Sequence, residues 1–141
     1  GLRDIVIFTG RIDVKEYLGR MDMTILTSIS EGQPLTILES FAAHRPVIAT
    51  DVGNCRGLIL GESDSFGAAG IVTHIMNLEE ISQAILYMAH HPEERRRMGE
   101  AGYQRVAAHH RSEQMYDTYR RIYQDFSREE KEKKRQTADV S

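Results

Sequence analysis

The chain has 141 residues, 40% hydrophobic and 28% charged, which is the balance of one globular domain with its own core. Its formal net charge of -3, from 18 basic and 21 acidic residues, lacks the basic excess of a nucleic-acid binder, so no nucleic-acid partner is expected. The lone cysteine, Cys55, excludes an internal disulfide, and no run approaches the ~18 apolar residues of a membrane span, so a cytoplasmic location is expected.

Residues 5–9 (Ile-Val-Ile-Phe-Thr) are apolar and largely β-branched and end at Gly10, which predicts a buried strand. A natural chain seldom begins so close to a buried strand, so the N-terminus is expected to have been cut from a longer protein. Val14, Tyr17, Leu18 and Met21 have helical spacing. Residues 23–27 predict a second strand. A helix is predicted from Pro34 to about residue 43, with Pro34, Ile37, Leu38 and Phe41 on its inner stripe. Residues 46–50 predict a third strand, 55–60 a short helix, 61–70 a loop and 70–73 a fourth strand. Strands alternating with helices imply a parallel sheet covered on both faces.

The second half is helical. Asn77 caps a helix whose inner residues are Leu78, Ile81, Ile85 and Met88, Pro92 opens another that runs to His109, and Ser112 caps a third. Tyr116, Tyr119, Tyr123 and Phe126 give that last helix more aromatic surface than one core stripe needs, which predicts weak self-association through it. Residues 1–126 are read as the folded domain. Residues 127–141 are read as a charged helix end or disordered tail, with the last few residues disordered.

The chemistry concentrates in residues 27–39, Thr-Ser-Ile-Ser-Glu-Gly-Gln-Pro-Leu-Thr-Ile-Leu-Glu. A strand ends there, a loop carries Glu31 and Gly32, and a helix follows. Ligands of open parallel sheets bind outside the carboxyl ends of the strands. The first turn of a helix offers unpaired N–H groups and a partial positive charge, which suits a phosphorylated ligand. Glu31 and Glu39 are eight residues apart. On one continuous helix they would sit about 80° off a common face, so they converge on one ligand only if Glu31 precedes the helix. Glu39 then lies about 7.5 Å along the axis from Pro34. Carboxylates accept hydrogen bonds from sugar hydroxyls, so a sugar, a diphosphate and a ribose fit this layout. Spacing alone leaves a second reading open, with Glu31 as a helix-dipole partner and Glu39 as a solvated surface residue.

The run at residues 30–53, Ser-Glu-Gly-Gln-Pro-Leu-Thr-Ile-Leu-Glu-Ser-Phe-Ala-Ala-His-Arg-Pro-Val-Ile-Ala-Thr-Asp-Val-Gly, resembles the signature of family-4 retaining glycosyltransferases. The resemblance spans roughly residues 4–126, and its Glu-Gly-Gln-Pro-Leu variant looks most like the Pel exopolysaccharide type. It implies a Rossmann-like three-layer α/β sandwich with a mostly parallel sheet and a helical C-terminal portion, one half of a GT-B fold. It also implies a hexosyltransferase that takes a sugar from a nucleoside diphosphate donor, first of all a uridine diphosphate sugar, to a glycan acceptor in polysaccharide synthesis. By position, Glu31 would contact the donor sugar as the catalytic positioner. Glu39 would hold the ribose. Gly32, Gln33, Leu35 and Thr36 would present backbone amides, and Gly10 and Arg11 would lie near the base.

The resemblance implies neither a metal nor a resident cofactor. The acceptor-binding domain and the basic residues that clamp the diphosphate would lie outside this sequence, so the chain alone is expected to be inactive. Association with a membrane polysaccharide-synthesis complex is a further expectation. Two departures stand out. Gln33-Pro34 replaces Phe-Gly at a cost of one backbone donor, and Gly57 replaces a Glu, which is expected to loosen the short helix. The rival readings are a GT-B-like nucleotide-sugar epimerase and a non-catalytic Rossmann-like binding module.

Other groups take plainer readings. The pairs His90-His91 and His109-His110 sit at helix ends as dipole partners, and adjacent helix positions do not share a face for a metal. Residues 95–97, three arginines beside Glu93 and Glu94, read as a solvated face. Cys55 lacks a companion base, and the six methionines read as core filler.

Overall fold

The structure, a computed structural model, describes residues 2–62 and 64–138, with side chains for 3–62 and 64–128. Among them are three strands, β1 (Thr24–Leu26), β2 (Val47–Thr50) and β3 (Gly70–Thr73). They form one parallel sheet in the order β1-β2-β3. A 3-10 turn at Leu2–Asp4 precedes six helices: α1 (Lys15–Leu18), α2 (Leu35–Ala42), α3 (Cys55–Leu60), α4 (Leu78–His90), α5 (Pro92–His109) and α6 (Ser112–Ala138). The sheet with helices on both faces is the α/β sandwich that the alternating pattern implied.

β2 is the centre. All four of its residues are buried, because it is paired on both edges and covered on both faces. Val47 and Ala49 point into a core with Ile37 and Phe41 of α2 and with Cys55, Leu58 and Ile59 of α3. Ile48 points the other way, against Ala84 and Met88 of α4 and Met98 of α5. The two-residue period of the strand therefore feeds two helical layers. The predicted inner stripe of α2 is confirmed in Ile37 and Phe41, both fully buried. Ser40 on the same side donates to the Thr36 carbonyl at 2.8 Å and shares a 2.8 Å hydrogen bond with Thr24 of β1.

α2 and α5 approach closely because α5 presents small residues there. A Cβ at Gly102 would lie 2.5 Å from Phe41 Cδ1, and one at Gly99 would lie 2.3 Å from the His44 carbonyl oxygen. Gly102→Ala is expected to destabilise the fold by about 1–3 kcal/mol, because overpacking outweighs the better helix propensity. A urea unfolding midpoint checks this.

Three expectations are corrected. Residues 5–9 form no strand. Ile5, Val6, Ile7 and Phe8 are exposed, Phe8 at 95%. A parallel strand needs a ladder partner and cover on both faces, and neither β1 nor β3 pairs with this run. Gly57 does not loosen α3, which forms across it from Cys55 to Leu60. The side chain of Asn54 fills the space, its Oδ1 lying 2.6 Å from where a Cβ would be. The arginine run is not uniformly solvated. Arg96 and Arg97 pair with Glu93 and Glu94, but Arg95 reaches across to the Met88 carbonyl and to Asp22.

Smaller differences follow local chemistry. Leu78, expected inside α4, is exposed, while the Asn77 side chain accepts from the Glu80 amide as a cap should. Met88 and Met98 are core residues, but Met76 and Met115 are exposed. α6 extends to Ala138, and residues 139–141 of the segment 127–141 lie outside the described ones. No helix among the described residues is long and apolar enough to cross a membrane.

Candidate functional site

The loop between β1 and α2 lies at the carboxyl end of the sheet. Its shape is set by clasps to the end of β2 and to the loop that follows it. The Thr50 hydroxyl donates to the Ser28 carbonyl, and the Asn54 amide donates to the Gly32 carbonyl at 2.9 Å. Gly53 sits directly on the loop with φ of 51°. A Cβ there would lie 2.2 Å from the Glu31 carbonyl oxygen and 2.7 Å from that of Gly32. Only glycine permits that left-handed, close approach.

Glu31 precedes the helix, as its convergence with Glu39 requires. It is half-buried, and its Oε1 accepts from the Ser28 hydroxyl at 2.7 Å. Pro34 is the cap of α2, with ψ of 112°, rather than its first residue. The proline is buried. Among the described residues, the amides of Gly32, Gln33, Leu35 and Thr36 have no acceptor in the chain. The first turn of α2 also carries no acidic side chain, so its positive end is uncompensated. Glu39 lies one turn further on, exposed and without a hydrogen-bonding partner among the described residues. Free amides flanked by two carboxylates are equipped to hold an anion with hydroxyls on either side.

Gly10 and Arg11 are not tied into this arrangement. Both lie in the exposed segment before α1, and among the described residues no hydrogen bond or ion pair links them to the loop. Beside the loop, a groove of about 700 Å³ runs between α2 and α6, with Gln33, Leu35 and Leu38 on one wall and Met115, Tyr119 and Ile122 on the other.

Charged neighbours hold the supports in place. Asp51, just past β2, accepts from Nε and Nη2 of Arg56, and this pairing keeps its carboxyl below the usual range. After β3, Glu80 accepts from the His74 amide at 2.8 Å, which lowers its carboxyl in the same way. Burial pushes the Cys55 thiol up, so it is core filler. Arg105 of α5, only 3% exposed, binds Asp64 twice and caps the end of α3 at the Leu58 carbonyl. Ser28, Thr50, Gly53, Asn54 and Arg105 escaped sequence reasoning as supports. Only Ser28, three residues before Glu31, carried a local signal.

Fold and loop define an α/β domain whose β1–α2 loop, with its free amides, lies at the carboxyl end of a parallel sheet. The chain belongs to the family of glycosyl transferases group 1, whose model matches residues 1–105. It is 30% identical over 131 residues to the N-acetyl-alpha-D-glucosaminyl L-malate synthase of Bacillus anthracis, covering 92% of this chain and 33% of that protein. Similarity to the putative glycosyltransferase EpsD of Bacillus subtilis is 30% over 122 residues, 84% of this chain and 30% of that one. Among solved structures, sucrose-phosphate synthase from Thermosynechococcus elongatus superposes with a TM-score of 0.75 at 27% identity, over 88% of this chain and 32% of its own. The chain therefore spans about a third of the length of the relatives it matches.

Proposed function

We propose that this domain is the donor-binding half of a retaining hexosyltransferase that moves a sugar from a nucleoside diphosphate to a glycan acceptor, in exopolysaccharide synthesis of the Pel type. The observation that carries the reading is the set of unpaired amides at Gly32, Gln33, Leu35 and Thr36, flanked by Glu31 and Glu39. The amides and the helix dipole take the diphosphate. Glu39 takes the ribose hydroxyls, and Glu31, steadied by Ser28, orients the sugar and stabilises positive charge that develops at its anomeric carbon. The acceptor is held by polypeptide outside this chain, so the isolated domain binds donor without transferring it. A uridine nucleotide is the first candidate. The intact carboxylate pair and its braced loop favour this reading over a vestigial binding module, and the family match and the similarity to a putative glycosyltransferase favour it over an epimerase.

The two carboxylates separate in a binding assay. Glu39→Gln is expected to weaken uridine diphosphate about tenfold, the worth of one charge-assisted hydrogen bond. Glu31→Gln is expected to leave uridine diphosphate binding unchanged but to weaken the uridine diphosphate sugar. Calorimetric titration of both variants with both ligands is the check. Equal effects of the two substitutions on the two ligands would refute the assignment.

A further inference from the structure

The junction between α5 and α6 closes one end of the groove beside the donor loop, and packing puts it there. α5 runs antiparallel to α2, since Gly99 backs onto the His44 carbonyl and Gly102 onto Phe41. Both helices rise equally per residue, so this register carries His109, the last residue of α5, to the start of α2. His110 then turns the chain, with φ of -129° and ψ of 32°, and α6 begins at Ser112. The Gln114 side chain braces the turn by donating to the Ala108 carbonyl at 2.9 Å. Arg111, in the turn, therefore lines the same groove as Gln33 and Leu35.

This end of the groove is cationic, and among the described residues no carboxylate lines it. The arginines within α5, Arg95, Arg96, Arg97 and Arg105, are each held by an aspartate or a glutamate. Arg111 is exposed and has no such partner among the described residues. Its neighbour adds little charge, because burial, and then His109 and Arg105 nearby, holds the His110 imidazole toward its neutral form. On the donor reading of the loop, on which this inference rests, we propose that Arg111 is a further binding residue of that site. The diphosphate lies between its guanidinium and the free amides of Gln33 and Leu35. A guanidinium suits the task because its planar fork meets two phosphate oxygens at once. The positive end of a helix is worth only about half an elementary charge, less than a diphosphate carries. Arg111 supplies a full charge from within this chain, in addition to the basic residues expected outside it.

NMR titration of the native chain, Arg111→Gln and Arg111→Lys with uridine diphosphate and with uridine tests the proposal (guanosine or adenosine diphosphate and its nucleoside serve instead if only that nucleotide moves the loop). Arg111→Gln is expected to raise the dissociation constant for the diphosphate about tenfold, and Arg111→Lys to raise it less, because lysine keeps the charge but not the fork. The nucleoside, which has no phosphate, should bind all three chains alike. The amides of Gly32, Gln33, Leu35 and Thr36 should keep their ligand-free positions in both variants. Unchanged diphosphate affinity in Arg111→Gln, with the loop amides still shifting, would overturn the role of Arg111 and leave the donor site standing. An equal loss for the nucleoside would overturn it too, since the residue would then shape the fold rather than meet phosphate. If none of the three diphosphates moves an amide between residues 31 and 39 of the native chain, the donor reading falls and Arg111 with it.

Discussion

Arg105→Met is expected to cost about 3–5 kcal/mol of folding stability, a large part of the ~5–15 kcal/mol that a domain of this kind possesses. The guanidinium is buried and makes five hydrogen bonds, two to Asp64 at 2.6 and 2.9 Å and the others to the carbonyls of Leu58, Ile59 and Gly67. Gly61 leaves the room it occupies, since a Cβ there would fall on Arg105 Nη2. Its loss strands Asp64, only 6% exposed, without a counter-charge. Adding Asp64→Asn should recover part of the loss, because the stranded charge goes while the bond from the Phe66 amide survives. Denaturant unfolding of the single and double variants measures both effects.

The same pair sets an acid limit. The hydrogen bonds from Arg105 hold the Asp64 carboxyl below its ordinary 3.8. A carboxyl lowered by folding contributes stability that is complete above its unfolded value and fades as the pH falls through its folded value. The gap in stability between the native chain and Arg105→Met should therefore be widest at neutral pH and should narrow as the pH falls, first as the stranded Asp64 of the variant takes up a proton and then as the native pair is lost below 3.8.

Gly53→Ala carries the second large expected effect, and it falls on ligand binding. The left-handed backbone there costs an L-residue about 1–2 kcal/mol. Its new methyl would also overlap the carbonyl oxygens of Glu31 and Gly32. The overlap is relieved only if the loop carrying Glu31 moves away from the loop after β2. A shift of that size removes the alignment of the Gly32 and Leu35 amides with α2. Affinity for a nucleoside diphosphate should fall tenfold or more, while the unfolding midpoint drops only modestly, since the core contacts of β2 stay in place. Binding that survives this substitution intact would show that the loop does not need its brace.

Much of this was legible from residue order. The bounds of β3 follow from the short run at 70–73, α3 forms over the expected 55–60, and the Asn77 cap follows from its position before Leu78. Local signals sufficed there because cap, period and breaker agreed. The loop position of Glu31 was also legible, because Pro34 cannot sit inside a helix and a spacing of eight residues would otherwise splay the two carboxylates. Residues 5–9 show the limit. An apolar, β-branched run reports that a segment suits burial, but not whether a neighbouring strand exists to pair with it. Arg105 and Gly53 show another. Their partners lie 41 and 22 residues away along the chain, at Asp64 and Glu31, a separation that no local pattern encodes.

Amide-resolved NMR titration of the chain with uridine diphosphate tests the donor-loop assignment most directly, with guanosine and adenosine diphosphate in parallel. Saturable shifts that begin at Gly32, Gln33, Leu35 and Thr36 and reach Glu39, with at least one of the three nucleotides, are the predicted result. Spectra in which none of the three moves any amide between residues 31 and 39 would contradict it.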